Sequence, residues 1–126
     1  MTRAAGARKG RNPLPPPEEM EQHADTAVRL LRSLANPHRL MVLCTLAGEE
    51  LSVSALNERV SLSQSALSQH LAVLREEGLV LTRREAQTVY YSVADGPALR
   101  ILDVLYDAYC RPPAGNAKKP TRGGRC

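Results

Sequence analysis

Between residues 20 and 110 the apolar positions follow two periods, first one of three to four residues and then one of two. Met20, Ala24, Ala27, Val28, Leu31 and Leu34 recur at helical spacing. Glu18, Glu19 and Glu21 stand ahead of them, where acidic side chains complement the positive end of a helix dipole. Asn36-Pro37 ends this helix and opens a second, Pro37 to Ala47, because proline fits a first turn that needs no backbone donor. Leu40 to Leu46 is almost wholly apolar, which predicts burial on most sides, and Gly48 stops the helix. A short helix follows from Ser52 to Val60. Ser61-Leu62 turns the chain into the next helix, which Ser63 caps and Gly78 stops, with Leu67, Leu71 and Leu74 facing inward.

The period then changes. Leu79 to Arg84 and Thr88 to Ala94 read as strands, the second alternating Val89, Tyr91 and Val93 against Tyr90 and Ser92. Glu85-Ala86-Gln87 joins them as a hairpin. Asp95 is expected to cap a last helix, whose Leu99, Leu102, Leu105, Tyr106 and Tyr109 form a long apolar face. The order α-α-α-α-β-β-α, with two short helices leading straight into a basic-tipped hairpin, predicts a mainly α winged helix-turn-helix. No internal repeat interrupts it.

A chain of 126 residues is long enough for one domain and too short for two ordinary ones. With no Trp or Phe and four Tyr, its core must be built from Leu, Val, Ala, Ile and Met. Such a core is thin, and a second subunit would help to complete it. No stretch approaches the ~18–20 consecutive apolar residues of a membrane span. The basic N-terminus leads into Gly and Pro instead of an apolar run, unlike a secretory signal. Three cysteines in such a chain do not suggest a disulfide scaffold; in a reducing cytoplasm thiols are buried, metal-bound or redox-active. The expectation is a cytoplasmic protein without a membrane partner.

The net charge of +4 is unevenly spread. Residues 1–17 carry +4 and residues 111–126 carry +5, with no acid in either, whereas 18–110 carries −5. Residues 1–17 and 112–126 read as disordered basic tails around a single domain at 18–111. The tails either add salt-sensitive affinity for phosphates or serve solubility alone. A body with an acid excess can meet nucleic acid only through a local basic patch.

Such a patch is present. Burying Leu67, Leu71 and Leu74 leaves Gln64, Ser65, Ser68 and Gln69 on or beside the other face of their helix, within its first two turns. A recognition helix makes its base contacts there: Gln pairs bidentately with adenine, and Ser serves bases or phosphates. Taken alone, this is equally a solvated polar face. The hairpin favours the DNA reading, because Arg83, Arg84, Gln87 and Thr88 gather cationic and hydrogen-bonding groups at its tip.

Three motifs carry a resemblance: Leu34-Ala35-Asn36-Pro37-His38-Arg39-Leu40, the run from Leu62 to Leu71 with Leu74, and Arg84-Glu85-Ala86-Gln87-Thr88-Val89-Tyr90-Tyr91. In this order they resemble the ArsR/SmtB family of bacterial repressors over roughly residues 20–110. The resemblance implies a homodimer joined through the first and last helices, a double-stranded operator as partner, and release of DNA when an inducer is sensed. It puts Gln64, Ser65, Ser68 and Gln69 in the major groove and the wing along the neighbouring groove. His70 matches a common family histidine and serves packing, a hydrogen bond or a base contact.

Metals are the family's best-known inducers. The thiol site of its soft-metal sensors needs Cys-x-Cys, where this chain has Ser52-Val53-Ser54. The zinc site of the last helix needs an Asp-x-His pair and a later His, but no His follows His70. No metal and no cofactor is therefore expected. Cys44 and Cys110, taken by themselves, are read first as two small buried hydrophobes. The chain is most similar, however, to the family's sulfide- and redox-responsive branch, which includes the biofilm growth-associated repressor and a persulfide sensor of purple bacteria. Arg39-Leu40-Met41-Val42-Leu43-Cys44 and Tyr106-Asp107-Ala108-Tyr109-Cys110 match that branch. The implied inducers are reactive sulfur species or oxidants that bridge Cys44 to Cys110 by a disulfide or polysulfide. Cys126 has no place in that scheme. The alternatives are a metal-responsive repressor of the same fold and a winged-helix protein-interaction module without DNA binding. No nucleophile, His and carboxylate stand at a recognisable spacing, so an enzyme is not expected.

Overall fold

The computed structural model describes residues 14–111. The tails assigned to 1–17 and 112–126 lie, but for residues 14–17, outside the described residues, as does Cys126. The single helix expected up to Leu34 is two, α1 (Pro17–Glu21) and α2 (Ala24–Leu34), broken at Gln22-His23. Among the described residues none of α1 is buried, so packing does little to hold it in line with α2.

The turn from α2 into α3 (Pro37–Leu46) explains the Asn36-Pro37-His38-Arg39 run. The Asn36 side chain accepts the backbone N–H groups of His38 and Arg39 at 2.9 and 3.0 Å. Arg39 turns back, donating Nε to the Ser33 carbonyl at 2.8 Å and Nη2 to that of Arg32 at 3.3 Å. Two carbonyls near the end of α2 and two amides at the start of α3 are thus satisfied by the side chains of Asn36 and Arg39.

After α3 comes a strand the sequence did not disclose, β1 (Leu51–Ser52), followed by α4 (Val53–Arg59) and α5 (Gln64–Glu76). Two residues are too few to display a period. Ser52 and Ser63 cap α4 and α5 through the amides of Ala55 and Ala66, each at 3.1 Å. α5 ends as expected at Gly78, which has φ +75. The Gly78 amide bonds the Arg75 carbonyl and the Leu79 amide that of Leu74, with both leucines buried.

β2 (Val80–Glu85), β3 (Thr88–Val93) and α6 (Pro97–Tyr109) complete the described chain. The sheet is antiparallel in the order β1-β3-β2, with Leu51 opposite Tyr91 and Ser52 opposite Tyr90. Glu85 pairs with Thr88, so the hairpin loop is the two residues Ala86-Gln87 and not the three expected. A two-residue loop needs a positive φ, and Ala86 supplies it at +57°. Glycine takes that conformation without its Cβ penalty. Ala86→Gly is therefore expected to stabilise the fold by about 0.5–1 kcal/mol, read as a higher urea midpoint at unchanged m-value. Asp95 does not cap α6. Gly96, at φ +153, holds that position without a side-chain bond, and Pro97 opens the helix.

The core runs through α3, α5 and α6, where Val42, Leu43, Leu46, Leu67, Leu71, Leu74 and Leu102 are all but inaccessible. No aromatic side chain belongs to the fully buried set; Tyr91 and Tyr106 pack at its edge. Val28 and Leu31 of α2 remain 44% and 52% exposed, and Val104 and Tyr109 of α6 remain 62% and 82% exposed. Of the apolar positions read from the sequence, Met20, Val28 and Leu31 of the first face and Tyr109 of the last are therefore left uncovered by the described residues, and Val104, outside the face read for the last helix, is exposed as well.

Candidate nucleic-acid interface

Leu67, Leu71 and Leu74 anchor α5 to the core, and its 3.6-residue period turns Gln64, Ser65, Ser68 and Gln69 outward, all exposed. Arg83, Arg84, Gln87 and Thr88 are exposed on the hairpin that follows. All eight residues singled out in the sequence are thus on the surface, four on one helix and four on the wing. Arg83 and Arg84 differ in their surroundings. Arg83 is hydrogen-bonded to Glu50 and Glu85, whereas Arg84 makes no ion pair among the described residues.

His70, half-buried on α5, stacks on His38 of α3, with ring centroids 5.9 Å apart and planes 28° from parallel. Burial, and then the charge of Arg39 and the neighbouring His38, push its pKa below the usual histidine range. Neutral at pH 7, it docks the outward-facing helix on the Asn36–Arg39 corner. His38 is a partner the sequence reading missed, since a stacking contact 32 positions away leaves no local signal.

Cys44, near the end of α3, and Cys110, at the end of α6, are both partly buried. Tyr106 of α6 reaches across to α3. Its hydroxyl donates to the Cys44 carbonyl at 3.4 Å, and its own carbonyl accepts the Cys110 amide at 2.8 Å. Sequence reading placed Tyr106 on the apolar face of the last helix and missed this bridging hydrogen bond. A cleft of about 360 Å³ opens alongside, lined by Ala47, Leu99, Leu102 and Tyr106 together with the charged residues Asp95, Arg100, Asp103 and Arg111. Arg111 is held by Asp103 and Asp107, which raise its pKa further.

Residues 36–82, from the α3 cap to β2, match the model of the bacterial regulatory proteins of the arsR family. The transcriptional activator HlyU of Vibrio cholerae is 50% identical over 94 residues, covering 75% of this chain and 87% of the activator. The chain belongs to the ArsR family of bacterial transcriptional regulators. The biofilm growth-associated repressor of Agrobacterium fabrum is 46% identical over 103 residues, covering 82% of this chain and 86% of the repressor. A solved structure of reduced HlyU from Vibrio cholerae superposes with a TM-score of 0.70 at 50% identity, over 75% of this chain and 99% of that one.

Two ArsR-family features named from the sequence take their place in this fold. The Ser52 hydroxyl, at the first of the two positions where soft-metal sensors carry thiols, is occupied in capping α4. Ser54, at the second, lines an open cleft of about 410 Å³ with Asn57, Glu58 and Gln64. Among the described residues no three His, Cys, Asp or Glu side chains are grouped to hold a metal ion. No described helix is long and apolar enough to cross a membrane.

Proposed function

We propose that this ArsR-family chain is a homodimeric repressor that binds a palindromic operator when reduced and releases it when Cys44 and Cys110 are bridged. The observation that carries DNA binding is the outward row Gln64, Ser65, Ser68 and Gln69 on a helix fixed to the core, with a wing beside it. The row reads bases in the major groove, and Arg84, Gln87 and Thr88 follow the backbone alongside, with Arg83 next to Arg84 on β2. Repression follows from similarity to the biofilm growth-associated repressor.

Supporting the switch, Tyr106 hydrogen-bonds to α3 at Cys44 and lies one helical turn before Cys110. The chemistry balances with an organic persulfide as the only oxidant. One thiolate takes the outer sulfur of the persulfide and expels the organic thiol. The second thiol attacks the first cysteine's own sulfur, expelling hydrogen sulfide and leaving a disulfide. If both thiols are persulfidated first, their condensation expels one hydrogen sulfide and leaves a trisulfide.

Binding is tested by fluorescence anisotropy on a duplex selected from a random-sequence pool by the reduced chain, beside a scrambled duplex. Gln64→Ala and Ser68→Ala should each lower affinity for the selected duplex by about 5- to 150-fold, the range of one good base contact, with little change on the scrambled one. Arg84→Ala should lower both together. Equal losses on both duplexes for the α5 variants would remove those residues from base reading. The absence of salt-dependent binding to any duplex would leave a protein-interaction module instead.

A further inference from the structure

Arg83 stands on β2 opposite Tyr90 of β3, with its guanidinium carbon 4.8 Å from the tyrosine ring centroid. From there the side chain crosses the middle strand of the sheet to Glu50, the residue before β1. Nε lies 3.2 and 3.0 Å from the two carboxylate oxygens, and Nη2 lies 2.9 Å from one of them. Nη1 donates to Glu85, at the end of the same strand, at 2.9 Å. A clasp therefore runs from the wing's outer strand, over an aromatic face, to the start of the strand that leads into α4.

Two carboxylates surround one guanidinium, so the cluster carries a net negative charge and offers no positive charge to a phosphate. Hydrogen bonding to Arg83 holds the Glu50 carboxyl below the usual range, so the pair stays ionised at neutral pH. Arg84, the next residue, points to the opposite face of the hairpin, because side chains alternate along a strand. It makes no ion pair among the described residues. We infer that Arg83 is a positioning residue: by clasping Glu50 it fixes the wing's angle against α4 and α5, and Arg84 makes the wing's phosphate contact. This assignment rests on the DNA-binding reading above and replaces the direct contact expected for Arg83 from the sequence.

The test compares Arg83→Gln, Glu50→Gln, the double variant and Arg84→Gln with the parent on the selected duplex, from low to physiological salt. A phosphate contact releases counterions, so its loss reduces the slope of log K against log salt by about 0.9; loss of a positioning clasp leaves the slope unchanged. Arg83→Gln and Glu50→Gln should each weaken binding by about fivefold, the upper end for an exposed ion pair, at parental slope. The double variant should be no weaker than either single variant, and the exchanged pair Glu50→Arg with Arg83→Glu should recover much of the loss. Arg84→Gln alone should flatten the slope. Thermal unfolding of each variant separates a lost clasp from a lost fold, and the exchanged pair keeps the test decisive if a single variant unfolds. A reduced slope for Arg83→Gln, tighter binding by Glu50→Gln, or no effect of either would each overturn the assignment. Failure of the parent to bind any duplex would instead overturn the DNA-binding reading.

Discussion

Cys44→Ser and Cys110→Ser variants will each bind the selected duplex as tightly as the parent, and neither will release it when an organic persulfide is added. Serine preserves the size of each side chain, so the reduced fold and the α5 surface stay as they are. Either change removes half of the bridge, and a single persulfidated thiol has no second sulfur to close on. The parent should release the duplex under the same treatment and recover it with reductant, and Cys126→Ala should match the parent. A plain disulfide requires Cα atoms within about 7 Å, whereas a trisulfide tolerates more. The two cysteines are 66 positions apart, so on the chain-entropy model the bridge stabilises the oxidised fold by about 4 kcal/mol. That exceeds the roughly 1–3 kcal/mol of a single base contact, enough to hold α3 and α6 in an arrangement that fits DNA poorly. Intact mass distinguishes the product: a loss of two hydrogens for the disulfide, with one sulfur gained for the trisulfide. Persulfide-driven release by the Cys110→Ser protein would end the two-thiol mechanism.

What the sequence disclosed is what depends on neighbours in the chain. Ser63, Gly78 and the Leu67–Leu71–Leu74 spacing specify α5 within one stretch, and the structure reproduces its cap, stop and buried face. The Asn36-Pro37-His38-Arg39 corner was visible as a break, though the backward reach of Arg39 was not. β1 was hidden because its two residues become a strand only when β3 lies beside them. The break at Gln22-His23 was hidden for the opposite reason: a continuous apolar period implied one helix, but α1 buries no residue against the described part of the chain.

The same distinction holds for the candidate site. Exposure of Gln64, Ser65, Ser68 and Gln69 follows from helical period alone. The clasp of Arg83 does not, because Glu50 is 33 positions away and reaches it only across a three-stranded sheet. Sequence treats Arg83 and Arg84 as equivalent cations; the hairpin separates them onto opposite faces. His70 likewise acquired its stacking partner and its depressed pKa only from the packing of α5 on α3.

Leu31→Glu combined with Val104→Glu is expected to turn a dimer into a monomer and lower affinity for the selected duplex by at least about 100-fold. The parent should be dimeric because apolar side chains on α2 and α6 remain open: Leu31 is 52% and Val104 62% exposed, with Val28, Met20 and Tyr109 also uncovered. A two-fold interface presents each patch to its own copy or to the neighbouring helix, so one charge per helix becomes two across the axis. Carboxylates brought together there lose hydration and repel, which opposes burial of the surrounding apolar surface. Neither residue belongs to the fully buried core, so the monomer should keep its helicity. DNA affinity falls for a separate reason. A dimer's second recognition helix binds at an effective concentration set by the tether to the first, which raises affinity by about 10²- to 10⁴-fold, and a monomer forfeits that gain. Sedimentation velocity should report half the parental mass, with a thermal midpoint no longer dependent on protein concentration. A dimeric double variant, or a parent that is itself monomeric at working concentration, would remove the α2–α6 face from the interface and with it the spacing of two recognition helices on which the palindromic operator depends.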